Sequence, residues 1–229
     1  MSDRCFACHN SATTREHVPP LCLFPETKDT EGGRNLRQNL ITVPACADHN
    51  LAKSTDDEYF RWVVSTNLTA NCVGTWQAHT KVARAHGRRP ALGQSILEGA
   101  KDVTVVDSRT GSEYPTAETQ LDSARVTRVL DLVALGIYRH HFDESWSGTV
   151  RVHPDFIVDI GPEWTTDVDV KRIVLFEAAD RLFAPETKRG DSPDVFWYQV
   201  HESRMPDQCL MRLAFYSGCT ATALFSRSG

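Results

Sequence analysis

The chain has 229 residues, 41% of them hydrophobic and 24% charged, with a formal net charge of −5. That composition can fill a packed core and excludes wholesale disorder. Charge is unevenly spread: residues 1–90 hold 11 Lys/Arg against 9 Asp/Glu (+2) and residues 91–229 hold 14 against 21 (−7), so a nucleic acid is expected to meet the N-terminal part. No stretch approaches the ~18 apolar residues of a membrane span. The opening MSDRCFACHN lacks the apolar run of a signal peptide, so a soluble, cytoplasmic protein with no membrane partner is expected.

Residues 1–50 are rich in Cys, His, Asn, Pro and Gly and have no long apolar run; such a segment needs a staple. Leu40–Val43 is a short β-prone run, closed by Pro44. A helix is predicted over 54–68, with Ser54 or Thr55 as N-cap, acids in its first turn, and Tyr59, Val63 and Val64 on one face. A second helix is predicted over 74–87. The break Gly87-Arg88-Arg89-Pro90 then marks a boundary between a module at 1–90 and an α+β domain at 91–229. Residues 102–115 read as a hairpin turning at Thr110-Gly111. The clearest helix covers 117–142, where Val126, Val129, Leu130, Val133, Ile137 and Tyr138 repeat at the helical period. Val195–His201, Leu210–Tyr216 and Thr220–Phe225 read as antiparallel strands, the last two joined at Ser217-Gly218. The expected class is α+β: a stapled N-terminal module, then a mainly antiparallel sheet with one long helix.

There are seven cysteines, an odd number that argues against a disulfide framework in a chain without a secretion signal. Cys22, Cys72, Cys209 and Cys219 sit among apolar or small neighbours and are expected to be buried thiols. The other three, with His49, make two pairs. Cys5-Phe6-Ala7-Cys8 is a C-x2-C pair, and Cys46-Ala47-Asp48-His49 is a C-x2-H pair 38 residues after Cys8. Two ligand pairs on two turns let one Zn2+ reach tetrahedral coordination, and thiolate with imidazole suits that ion. A structural Zn2+ on Cys5, Cys8, Cys46 and His49 would supply folding energy the polar segment lacks. Between the pairs lies Thr14-Arg15-Glu16-His17-Val18-Pro19-Pro20. Asn39-Leu40-Ile41-Thr42-Val43-Pro44 leads into the second pair, and Asn50 and Lys53-Ser54 follow it.

In this ordered combination the chain resembles the HNH endonuclease family over roughly residues 5–60, and in detail a bacterial subgroup with an EHVPP-type block and a DDEY-type block, here Asp56-Asp57-Glu58-Tyr59. The resemblance implies a ββα-metal fold, a β-hairpin and a helix gripping one catalytic divalent cation. It implies His17 as general base, Glu16 and Asn50 as ligands of that cation, and Asn39 as the residue holding the His17 loop; Asn35 is a weaker candidate for that last role. His49 stands where most zinc-stapled relatives have cysteine, and Asn50 where many have histidine. Members serve in phage defence, restriction and mobile elements.

The chemistry stands on its own terms. Phosphodiester hydrolysis needs an activated water and neutralisation of the charge on the phosphate. A neutral imidazole can take a proton from water near physiological pH, which His17 offers. Oxygens of Glu16 and Asn50, with Asp57 or Glu58 one to two turns further on, suit Mg2+ or Mn2+. Arg15, Arg34, Arg37 and Lys53 are candidates for phosphate contact, and Lys81, Arg84, His86, Arg88 and Arg89 form a basic patch. His140-His141 reads as a helix end favoured by the dipole. The expected reaction is hydrolysis of DNA, with RNA as the alternative substrate. The C-terminal domain is expected to recognise a substrate, bind a protein partner, form a homodimer or restrain the nuclease. Two rivals stay open: a non-catalytic zinc module that binds nucleic acid or protein, and a structural zinc protein whose activity lies in the acidic C-terminal part. Blander readings also stand, with Glu16-His17 as a surface pair, Asn39 as a simple turn residue, Asp56-Asp57-Glu58 as a helix-start charge cluster, and the basic patch as a solvated helix face.

Overall fold

The computed structural model describes residues 4–88, 90–106, 110–157, 166–203 and 207–227, with backbone alone over 166–173. It is a mixed α+β chain whose sheets are all antiparallel. β1 (Thr14–His17) pairs with β2 (Thr42–Ala45), placing Glu16 opposite Val43 and His17 opposite Thr42. Alternation along β1 turns Glu16 inward and leaves Arg15 exposed. The second strand runs through Pro44 instead of stopping before it. A two-stranded ladder is all edge, where the missing N–H of proline is tolerated.

α1 (Ser54–Ser65) begins with Asp56 and Asp57 in its first turn and buries Tyr59, Phe60, Val63 and Val64. Its N-cap position is Lys53, whose side chain makes no capping bond, one residue before the expected Ser54. Three pieces follow almost without interruption: α2 (Cys72–Gln77), a π-helical turn (Ala78–Val82) and α3 (Ala83–Arg88). Asn71 caps α2 by accepting from the Gly74 N–H. Pro90 opens α4 (Pro90–Leu97), a first-turn position it suits. β3 (Lys101–Val106) and β4 (Glu113–Glu118) form the expected hairpin. The long helix α5 (Ser123–Phe142) starts six residues later than its apolar period suggests, because Ala117 and Glu118 belong to β4 and Asp122 provides the cap.

β5 (Thr149–Pro154) and α6 (Thr166–Phe183) were not foreseen. β6 (Phe196–Glu202), β7 (Gln208–Phe215) and β8 (Cys219–Ser226) were, and the four-stranded sheet has the order β5-β8-β7-β6. Among the other cysteines, Cys209 and Cys219 are buried and Cys22 is half-buried. Cys72 is exposed, contrary to expectation, because α2 turns Gly74 and Gln77 inward and Cys72 outward.

The boundary expected near residue 90 does not divide the core: one cluster of buried side chains draws on both sides of it. α5 packs on α1 and β2 and also on β5 and β8. Phe60 of α1 meets Phe215 of β7 edge-on, with ring centroids 5.0 Å apart. The Tyr216 hydroxyl donates to the Leu23 carbonyl at 2.6 Å, and Asn71 Nδ2 donates to the Asp194 carbonyl at 2.8 Å. No helix among the described residues is long and apolar enough to cross a membrane.

α5 can come so close to the residue after His17 because it carries Gly136 there. A Cβ at that position would lie 2.6 Å from Cγ2 of Val18. Gly136→Ala should therefore lower stability by about 1–3 kcal/mol through overpacking, against the usual gain in helix propensity. Urea denaturation with an unchanged m-value would check this.

Candidate functional site

The hairpin brings the two ligand pairs together. Cys5 and Cys8 lie on a turn closed by the Cys5 N–H donating to the Asn10 carbonyl, and the Phe6 N–H ties this turn to the Pro44 carbonyl of β2, both at 2.9 Å. Cys46 and His49 lie on the turn that leaves β2, closed by the Leu51 N–H donating to the Ala47 carbonyl at 2.8 Å. The four donor atoms lie within 4.8 Å of one another. His49 faces the thiols through Nδ1, which is 3.5 Å from Cys5 Sγ and 3.2 Å from Cys46 Sγ; Cys8 and Cys46 sulfurs are 3.8 Å apart. Tetrahedral zinc with bonds of about 2.3 Å to sulfur and 2.0–2.1 Å to nitrogen spaces its ligands by about 3.5–3.8 Å. The donor set and its spacing thus fit such an ion. Burial pushes the Cys8 thiol up to about 11. At Cys46 burial acts the same way, but hydrogen bonds from His49 and the neighbouring cysteines outweigh it and bring the thiol down to about 6.

His17 ends β1 directly after the buried Glu16, and a cis Val18–Pro19 peptide follows. The imidazole is half-buried. Desolvation, then the positive charges of Arg37 and Lys53, hold it below its ordinary value, so it is neutral at pH 7. Asn50 reaches back to the same strand, its Nδ2 3.0 Å from Thr14 Oγ1 and 3.2 Å from the Arg15 carbonyl. A narrow crevice lies between Glu16, His17, Val18 and Lys53 on one side and Val129, Leu132 and Val133 of α5 on the other.

Lys53 differs from expectation. Its side chain is only 8% exposed, and its Nζ lies 2.8 Å from Glu16 Oε1 and 2.6 Å from Asp57 Oδ2. It is therefore an internal partner of two carboxylates, with its ammonium turned away from solvent. Burial opposes its charge, yet Asp57 and Glu16 raise it above the ordinary lysine range. Desolvation raises both carboxylates, and Lys53 counteracts it. The same geometry bears on the catalytic cation expected on Glu16, Asn50 and Asp57. The space between the two carboxylates is filled by an ammonium, so the donors as folded fit Lys53 and not Mg2+ or Mn2+. Glu58 is half-buried and acts on this group through its charge, which helps raise Asp57.

The remaining candidates are dispersed. Asn39 is exposed in a left-handed turn (φ 51°), and no hydrogen bond among the described residues joins its side chain to the His17 loop. That loop is held instead by the Val18 N–H donating to the Ile41 carbonyl at 3.0 Å. Asn35 accepts from the Arg37 N–H. Arg15 lies across the hairpin, donating to Thr42 Oγ1 and the Thr42 carbonyl. Arg34 pairs with Asp194. Arg37 donates to the Phe24 carbonyl from Nε and from a terminal nitrogen. Arg88 is exposed at the end of α3, and Arg89 lies outside the described residues. The expectations missed Arg61, a buried arginine in α1. Its signal was a charge inside the run Tyr59-Phe60-Arg61-Trp62-Val63-Val64, four residues after Asp57 and eight after Lys53. No protein-family profile, curated protein or solved structure matches the chain.

Two outcomes are expected. Purified protein should carry one zinc per chain by elemental analysis. Stripping it with a chelator, or Cys46→Ser, should lower the melting midpoint by about 10 °C or more, since a structural zinc contributes several kcal/mol and each is worth about 2–4 °C at this size. Lys53→Met should cost roughly 3–5 kcal/mol at pH 7, because it leaves two buried carboxylates unpaired. Both carboxylates have raised folded values, so protonation relieves them. The deficit measured by urea denaturation should shrink as pH falls from 7 through that raised range and be largest at neutral pH.

Proposed function

We propose that the chain is an HNH-type nuclease that hydrolyses phosphodiester bonds of nucleic acid, DNA first, with a structural zinc on Cys5, Cys8, Cys46 and His49. The observation that carries this is the arrangement around His17. A two-stranded hairpin is tied off by the Cys/His cluster, is followed directly by α1, and presents a neutral imidazole at the end of its first strand. This is the ββα order that the family resemblance implies.

In this mechanism His17 takes the proton of the attacking water, whose oxygen bonds to phosphorus as the bond to the leaving sugar oxygen breaks; that oxygen takes its proton from solvent. Its lowered basicity keeps it unprotonated at neutral pH and ready to accept. Asn50 braces β1 from the turn beyond the cluster, and Glu16, fixed by Lys53, holds the strand carrying His17 against α1. Zinc, when bound, joins the two turns and takes no part in the bond changes. No step runs through Mg2+ or Mn2+ on Glu16 and Asp57, because an ammonium lies between them.

The ammonium between Glu16 and Asp57 is also the observation that favours the second reading, a zinc-stapled module that binds nucleic acid without cutting it. Plasmid cleavage separates the two. Wild-type protein and His17→Ala, matched for zinc content and melting midpoint, would be assayed with Mg2+, with Mn2+ and with a weak chelator that spares zinc. Loss of a general base should slow cutting about 100- to 10,000-fold. Cutting that survives His17→Ala would remove the base assignment. An inert wild type that still retards DNA would leave the binding module.

A further inference from the structure

Arg61 is 4% exposed and makes no hydrogen bond or ion pair with any described residue; its Nε is buried without a partner. A guanidinium cannot shed its proton. A charge so enclosed is costly unless an anion meets it. The nearest carboxylate along the helix does not serve: Asp57 gives Oδ2 to Lys53, and its Oδ1 is likewise buried and unpartnered.

α1 packs on the π-helical turn, and the charge of Arg61 acts on Lys81 of that turn and on the neutral Cys22 thiol, kept protonated by burial. Lys81 is held below its ordinary value by burial and then by the charges of Arg37 and Arg61. Its only ion-pair partner among the described residues is Glu26, whose Oε1 is 3.7 Å from Lys81 and 3.8 Å from Arg37, beyond hydrogen-bond reach. The other oxygen of Glu26 holds Lys28 at 2.8 Å. Lys81 and Arg37 therefore share one half-exposed glutamate whose close contact goes to Lys28. The charge of Arg37 also helps hold His17 below its ordinary value, which couples this cluster electrostatically to the candidate base. Gln77 fixes the wall by donating to the carbonyls of Cys22 and Leu23. π-helical turns inside helices gather at functional sites, and this one places Lys81.

We propose that Arg61, Lys81 and Arg37 form a phosphate cradle that takes a backbone phosphate of a nucleic-acid strand. The assignment to a nucleic-acid strand rests on the nuclease reading; the affinity for phosphate does not. A diester oxygen would accept from the Arg61 guanidinium and the Lys81 ammonium, as charge-assisted bonds favour.

The test is calorimetric titration of the zinc-loaded full chain with inorganic phosphate, thymidine 3′,5′-bisphosphate and a short oligonucleotide at constant ionic strength. Wild type would be compared with Arg61→Met, Lys81→Gln and, as a control for net charge, Arg181→Gln on the exposed face of α6. Loss of one charge-assisted partner should weaken bisphosphate binding about 10- to 100-fold in the first two variants and leave the control within twofold. Without ligand, Arg61→Met should melt no lower than wild type, because an apolar chain replaces an unpaired buried charge. No phosphate or bisphosphate binding by wild type, or equal binding by Lys81→Gln, would overturn the cradle. So would a destabilised Arg61→Met of unchanged affinity, which would make Arg61 purely structural. Should Arg61→Met fail to fold, Lys81→Gln decides. Binding that depends on both residues in a protein that cuts no plasmid would uphold the cradle and end the nuclease reading; a cutting enzyme indifferent to both would do the reverse. Tighter binding of the oligonucleotide than of the bisphosphate identifies the strand as the ligand, and equal binding restricts the site to free phosphates.

Discussion

Four donor atoms within 4.8 Å of one another hold the two turns that flank the β1–β2 hairpin. Two strands of four residues bury too little to persist alone. Joining the turn before β1 to the turn after β2 fixes which residues pair, and so fixes Glu16 inward and His17 at the strand end. Asn50 and Lys53, only one and four residues past His49, then reach β1 from the far side. The geometry around His17 is thus a consequence of where the Cys/His cluster closes the chain.

The second support comes from the C-terminal residues. α5 lies over β2 and α1 on one side and under β5 and β8 on the other, with Gly136 against Val18. Tyr216 pins the carbonyl of Leu23 and Ser192 that of Leu36, so the long connection between β1 and β2 is held by residues 193 and 156 positions away in sequence, just after β7 and before β6. A stapled loop segment with few apolar residues borrows its core from the four-stranded sheet. This is why a break in composition near residue 90 does not coincide with a break in packing.

What the sequence reveals follows from the range of each interaction. The C-x2-C and C-x2-H spacings are local and read directly. So is the period of α5, whose Val126–Tyr138 stripe is buried as expected. The strands β6 to β8 carry a strong enough β-prone pattern to be legible. β5 and α6 escaped notice because β5 is a short, largely exposed edge strand and α6 has little apolar periodicity. The fate of Lys53 was not legible at all. A lysine after a ligand pair reads as surface charge until the fold sets Glu16, 37 residues earlier, opposite it. Asn39 misled for the opposite reason: its place before the β-prone run suggested a structural bond, and the structure uses it for a left-handed turn.

Lys53, Asp57 and Arg61 follow one another at successive turns of α1, a row of three charges sunk into a mostly apolar face. The first two are balanced. With Glu16 they form a group of two carboxylates and one ammonium, each contact at hydrogen-bond distance. The third is not, and its surroundings add Lys81 and Arg37 without adding a carboxylate in contact. A fold that needed only an apolar helix face could place a leucine or methionine at 61 at lower cost. Retaining a buried guanidinium there, with the half-buried Lys81 on the helical turn packed against α1, has a physical rationale when the missing counter-charge arrives from outside the chain, as a phosphate would supply it.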